Sequence, residues 1–139
     1  CAQLRRMTRW LRTLVCAAAG LAAAPLLHAQ APARAWVTPP PGDAQRGKVL
    51  YESRCVACHS VEAHRTGPAH RGVLGRRVGS ASGYNYSAEL AASRLRWTPQ
   101  TLNAWLADPE ELIPGQRMGF QVDDAQDRAD LIAWLATLK

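Results

Sequence analysis

Two thiols and an imidazole fall within five consecutive residues, Cys55-Val56-Ala57-Cys58-His59. No other stretch restricts the fold as much, because the rest of the chain must enclose whatever these groups hold. Cys-x-x-Cys-His is the spacing for covalent attachment of a c-type haem. The thiols would add to the two vinyl groups of the porphyrin, and His59 would be held under the iron as a nitrogen ligand. Three other chemistries compete. A structural zinc would need His64 and His70 to complete a set with the cysteines, at irregular spacing and with His59 left redundant. A redox dithiol normally follows a strand of an α/β fold and has no use for the rest of this chain. The fourth reading is accident.

The other two cysteines, Cys1 and Cys16, lie in a segment that reads as a secretory signal. Arg5, Arg6, Arg9 and Arg12 precede an apolar run from Leu14 to Leu27, and the small residues of Ala29-Gln30-Ala31 follow. Cleavage is expected near Ala29 or Ala31, and Pro32 disfavours the second. An uncleaved membrane anchor is the alternative, against which the short, Ala-rich run counts. Lipidation at Cys16 is disfavoured by the bulk of Val15. Met7 would open a more usual leader than Cys1 does. The expected organisation is a signal peptide over 1–31, a Pro-rich lead-in over 32–41 and one domain over 42–139. Once the leader is removed, only Cys55 and Cys58 remain. An exported chain with a single close pair of cysteines is no disulfide scaffold, so the pair acts locally.

The net charge of +6 suggests a nucleic-acid partner until it is located. From Pro32 onward there are 13 Lys and Arg against 11 Asp and Glu, and two haem propionates would bring the balance close to zero. A nucleic-acid function is therefore excluded.

The local signals are mostly helical. Asp43 is a candidate N-cap for a helix over Ala44–Arg54 that runs directly into Cys55, with Gly47, Leu50 and Tyr51 on one face. Residues 60–83 hold Gly67-Pro68, Gly72, Gly75, Gly79 and Gly83 without sustained alternation. So long an irregular stretch suits wrapping around a large prosthetic group. Ser87 caps a short helix to about Ser93. Thr98 and Pro99 start another, which Asp108-Pro109 stops. Asp123 or Asp124 caps the last helix, with Asp127 and Asp130 near its positive end and Leu131, Ile132, Trp134, Leu135 and Leu138 as its apolar stripe.

A haem iron has a second axial position. Beyond the leader the one methionine is Met118, in a loop framed by Pro114 and Gly115 and not on a helical apolar face. It is the leading candidate, with His64 and His70 as rivals that would give bis-His ligation. A thioether favours ferrous iron and raises the reduction potential. It also closes the iron to small ligands, which favours electron transfer over catalysis.

The segment from about Gly42 to Leu138 resembles the class I cytochromes c, the mitochondrial type and its small soluble bacterial relatives. The resemblance rests on Gly47 and Tyr51, Cys55–His59, Thr66-Gly67-Pro68, Gly75-Arg76, Gly83-Tyr84-Asn85-Tyr86-Ser87, Trp97, Leu102, Ile113-Pro114-Gly115-Gln116-Arg117-Met118, Phe120 and Arg128–Leu135. It implies an all-α cytochrome c fold, with three main helices and long loops wrapped around one covalently bound haem c. The first and last helices would cross with Gly47 and Tyr51 against Leu131 and Trp134. Cys55 and Cys58 would carry the haem, His59 and Met118 would ligate the iron, and the Pro68 carbonyl would accept from His59. Arg76, Tyr86 and Trp97 would lie near a propionate. There are departures. Trp105 stands where the family usually has Tyr, Leu90 replaces a common Asn, and Gln116 replaces a common Thr. Glu110 and Glu111 stand where the mitochondrial type has lysines, Arg117 keeps a positive charge, and the loop between His59 and Gly67 is shorter.

The expected function is electron transfer by a periplasmic monohaem carrier, a monomer and not an enzyme. Its donor would be a quinol–cytochrome c reductase or a dehydrogenase, and its acceptor a terminal oxidase or a reductase. The alternative is a haem enzyme or ligand sensor of peroxidase type, in which Met118 leaves the iron.

Overall fold

The computed structural model describes residues 37–139. The expected leader, with its cleavage site, and the first part of the lead-in lie outside these residues. Helices α1 (Ala44–Arg54), α2 (Ala88–Ala92), α3 (Pro99–Ala107), α4 (Pro109–Leu112) and α5 (Ala125–Leu135) follow in order. Among the described residues there is no strand; an isolated antiparallel bridge joins Arg77 and Arg96. The fold is all-α, with α1, α3 and α5 as the main helices.

Local chemistry sets the helix ends. The Asp43 carboxylate accepts from the backbone N–H groups of Gln45 (2.8 Å) and Arg46 (3.3 Å), which would otherwise lack partners. Thr98 and Thr101 form a capping box with Pro99 in the first turn of α3. Asp124, rather than Asp123, caps α5. Asp108 ends α3 and also accepts from Glu110 and Glu111 N–H, so the expected stop at Asp108-Pro109 opens the short helix α4 as well.

α1 packs on α5 through Gly47. A Cβ at Gly47 would collide with the Asp130 carbonyl and press on the Trp134 side chain. Tyr51, one turn on, is buried, while Leu50 is half-buried and Val49 exposed. The same crossing carries a network between distant residues. Arg46 pairs with Asp127 and Asp130, and Arg54 pairs with Asp127 at 2.9 Å. Residues 37–41 are tied down rather than loose. Val37 O accepts from Asn103 on α3 (3.3 Å), and Pro41 O accepts from Gln126 on α5 (2.9 Å). The Arg128 guanidinium ties α5 to Asn103 (2.8 Å) and to the Val122 carbonyl (2.7 Å).

Asp130 is 1% exposed. Burial alone would raise its pKa, but the Asp43 N–H (2.7 Å), the Gln126 amide (2.9 Å) and the Arg46 guanidinium together hold it below the ordinary range. A depressed native pKa contributes stability that is complete above the unfolded value, about 3.9, and is lost as pH falls through the native value. Asp130→Asn is therefore expected to melt lower than the parent at pH 7 and to show a flatter dependence of Tm on pH below about 4. Parallel slopes in calorimetry across that window would show that Asp130 does not carry the acid sensitivity.

Candidate haem-binding site

α1 ends at Cys55, whose N–H still bonds to Tyr51 O (2.9 Å). The next turn is closed by Cys58 N–H (3.1 Å) and His59 N–H (2.9 Å), both donating to the Cys55 carbonyl. Thus Cys55, Cys58 and His59 project from one tight turn set on the end of a packed helix. Both cysteines are free thiols, and burial pushes the Cys55 thiol up to about 11.

A cavity of about 570 Å³ opens beside this turn. Cys55, Cys58, His59, Pro68, Arg76, Tyr86, Trp97, Trp105 and Met118, from five separated stretches of chain, all border it. The walls are mainly apolar, as a porphyrin face requires.

His59 Nδ1 lies 2.9 Å from the Pro68 carbonyl, so Nδ1 carries the proton and Nε2 is left as the free donor atom. Burial lowers the His59 pKa, and the Pro68 bond partly opposes this. The net effect keeps the ring neutral, as a metal ligand must be. Gly67 lies against the Cε1 side of the ring, where a Cβ would strike it.

Met118 follows a turn held by side-chain acceptors. Gly115 has φ +85°, and its N–H donates to Glu110 Oε1 (2.9 Å). Met118 N–H donates to the Gln116 side-chain oxygen. The Trp105 indole N–H reaches the Met118 sulfur at 3.3 Å. Two positions read from sequence as departures, Glu110 and Gln116, therefore hold the backbone that leads to this sulfur.

The rival histidines sit differently. His64 Nδ1 accepts from Ala69 N–H (3.0 Å), which leaves Nε2–H to donate to Ser82 O (2.8 Å), so both nitrogens are engaged in joining two loops. The His70 ring stacks on His59 with centroids 4.1 Å apart and an interplanar angle of 19°. A ring lying face to face with His59 is on the wrong side to ligate opposite it. Its role was not legible in sequence, since nothing local signals a stack across eleven residues of loop.

The cavity also suits a carboxylate. Arg76 donates through its terminal nitrogens to the Arg71 and Ala69 carbonyls (3.0 Å each), while its buried Nε has no partner among the described residues. A propionate would satisfy that donor. Backbone bonds from Trp97 N–H to Arg76 O (2.9 Å) and from Gly75 N–H to Trp97 O (2.7 Å) keep Arg76 and Trp97 adjacent. Tyr86 lies against the same wall, with its hydroxyl accepting from Ala81 N–H at 3.3 Å. Trp134 Nε1 is also buried and unpartnered but does not border the cavity. Among the described residues no cluster of three His, Cys, Asp or Glu stands ready for a metal, so the zinc reading finds no support in the geometry.

The chain is similar to known cytochromes c. The family model described as Cytochrome c matches residues 44–139. Cytochrome c2 of Rhodopila globiformis is 42% identical over 103 residues, covering 72% of this chain and 97% of the relative. Cytochrome c of Gossypium barbadense is 40% identical over 100 residues, covering 69% of this chain and 90% of the relative. The solved structure of cytochrome cH from Methylobacterium extorquens is 40% identical with a TM-score of 0.66, covering 69% of this chain and 99% of that one.

Proposed function

This chain belongs to the cytochrome c family, and from that premise we propose how its own residues carry out the family's electron transfer. Its cofactor is one covalently bound haem c, which supplies a one-electron Fe(II)/Fe(III) couple. Cys55 and Cys58 would form the thioethers. His59 would offer its free Nε2 to the iron, with Nδ1–H held by the Pro68 carbonyl. Met118 would offer its sulfur from the same cavity, oriented by the Trp105 N–H. Arg76, Tyr86 and Trp97 would receive a propionate and offset the cost of burying it.

The observation that carries this reading is that His59 and Met118 border one cavity, each held by a further hydrogen bond. A haem held by both residues would leave peroxide no open position on the iron, which supports a carrier over an enzyme. Its partners are redox proteins, a quinol–cytochrome c reductase or dehydrogenase as donor and a terminal oxidase or reductase as acceptor. The domain spans 42–139 behind a signal peptide over 1–31 and a lead-in over 32–41. The leader supports export to the periplasm, and no helix among the described residues is long and apolar enough to cross a membrane.

The test is spectroscopic. The purified ferric holoprotein is expected to be low-spin, to show the long-wavelength Met–iron band, to keep its haem through acid-acetone extraction and to turn over no peroxide. A high-spin ferric spectrum with peroxidase turnover would overturn the reading in favour of a haem enzyme.

A further inference from the structure

His70 borders the cavity but is given no ligand role in the site as described, yet it is firmly held. Its backbone N–H donates to Ser60 O at 3.0 Å, next in sequence to His59. Its Nδ1 lies 3.1 Å from the hydroxyl of Tyr51, a residue 3% exposed in the seam between α1 and α5. Its ring then lies parallel to that of His59 at 4.1 Å. Leu or Val would fill the same space at lower desolvation cost. A flat polar ring with a dedicated hydrogen-bond partner does something that an aliphatic side chain does not.

We propose that His70 is a positioning residue for the axial imidazole: stacked on His59 and anchored by Tyr51, it sets the plane of that ring and favours the ferric state of the iron. This rests on the reading of His59 as the iron's ligand. The Pro68 carbonyl holds one edge of the His59 ring, and the Gly67 backbone blocks its Cε1 side. His70 adds a contact parallel to the ring itself. With one face so occupied, the ring cannot swing about its Cβ–Cγ bond, so its π orbitals keep one orientation toward the metal. The stack also acts on charge. An imidazole bound to ferric iron is drained of electrons, and the electron-rich face of a neutral neighbouring ring is attracted to it, as aromatic faces are to cations. The attraction is weaker when the iron is ferrous. Tyr51 thereby links the helix crossing to the redox centre.

The experiment compares holoproteins of the parent, His70→Leu, His70→Phe and Tyr51→Phe by redox titration and by the g-anisotropy of the ferric electron paramagnetic resonance spectrum. His70→Leu removes the flat ring. It is expected to raise the potential by at least a threefold change in the reduction equilibrium, about 28 mV at 59 mV per tenfold, and to broaden or shift the g values. His70→Phe keeps a stacking ring without the polar anchor and is expected to stay closer to the parent in both readouts. Tyr51→Phe, which removes only the anchor, is expected to broaden the g values at nearly unchanged volume. If His70→Leu alters thermal stability alone, or if His70→Phe shifts as far as His70→Leu, His70 is packing and the proposal fails. A parent protein without a low-spin histidine-ligated spectrum would instead overturn the ligand assignment beneath it.

Discussion

Met118→Ala is expected to lower the reduction potential by on the order of 100 mV and to open the iron to cyanide. Axial ligands move haem potentials over about 0.8 V, and exchanging a soft thioether for water removes the ligand that favours ferrous iron. The magnitude should exceed that of any change outside the iron's coordination, because Gln116, Glu110 and Trp105 act on the iron only by placing this sulfur. Two side effects accompany the substitution. A truncated methionine costs about 2–5 kcal/mol when fully buried, and Met118 is only half-buried. The Trp105 N–H also loses its acceptor, a loss of roughly 1–3 kcal/mol if water cannot replace it. Met118→Leu separates packing from ligation, since swaps that conserve volume cost under about 1.5 kcal/mol. It should melt close to the parent while its potential falls with that of the Ala variant. If neither variant shifts the potential or admits cyanide, Met118 is a packing residue and the sixth ligand lies elsewhere.

What could be read from sequence divides by distance along the chain. The caps at Asp43, Thr98 and Asp124 act within three residues, so the helices they start were visible as patterns. The Cys-x-x-Cys-His spacing is equally local. Gly47 was readable as a close approach, though not as an approach to the Asp130 carbonyl. Asp127 and Asp130 looked like charges placed for the helix dipole. In the structure they are buried partners of Arg46 and Arg54, 73 to 84 residues away, and no local pattern announces such a pairing. His70 is the same case in the loops, since its stack on His59 depends on how residues 60–70 fold back. Glu110 and Gln116 stood out as changed charges and side chains, whereas their work is to accept backbone N–H groups.

Replacing both Cys55 and Cys58 with Ala is expected to abolish cooperative folding as well as pigment. The cavity these residues border measures about 570 Å³. Its apolar walls would then face water without the haem packed against them, a cost set against a typical domain's whole stability of only roughly 5–15 kcal/mol. The walls would relax to recover part of the cost, and in doing so would give up the positions of Trp97, Trp105 and Leu131 that define the core. The helices themselves need not vanish, because their caps are local and Gly47, where α1 meets α5, does not itself border the cavity. The expected product is a compact helical chain that has lost fixed tertiary packing. Far-UV circular dichroism should retain much of its helical signal, near-UV signal should collapse, and the thermal transition should broaden until no midpoint can be assigned. A single substitution, at Cys55 or at Cys58, leaves one thioether and should give a coloured protein with a lowered but cooperative transition. A double variant that is colourless and yet melts sharply near the parent would show that the core does not depend on filling this cavity. One that keeps its haem through acid-acetone extraction would show that the attachment is not through these thiols.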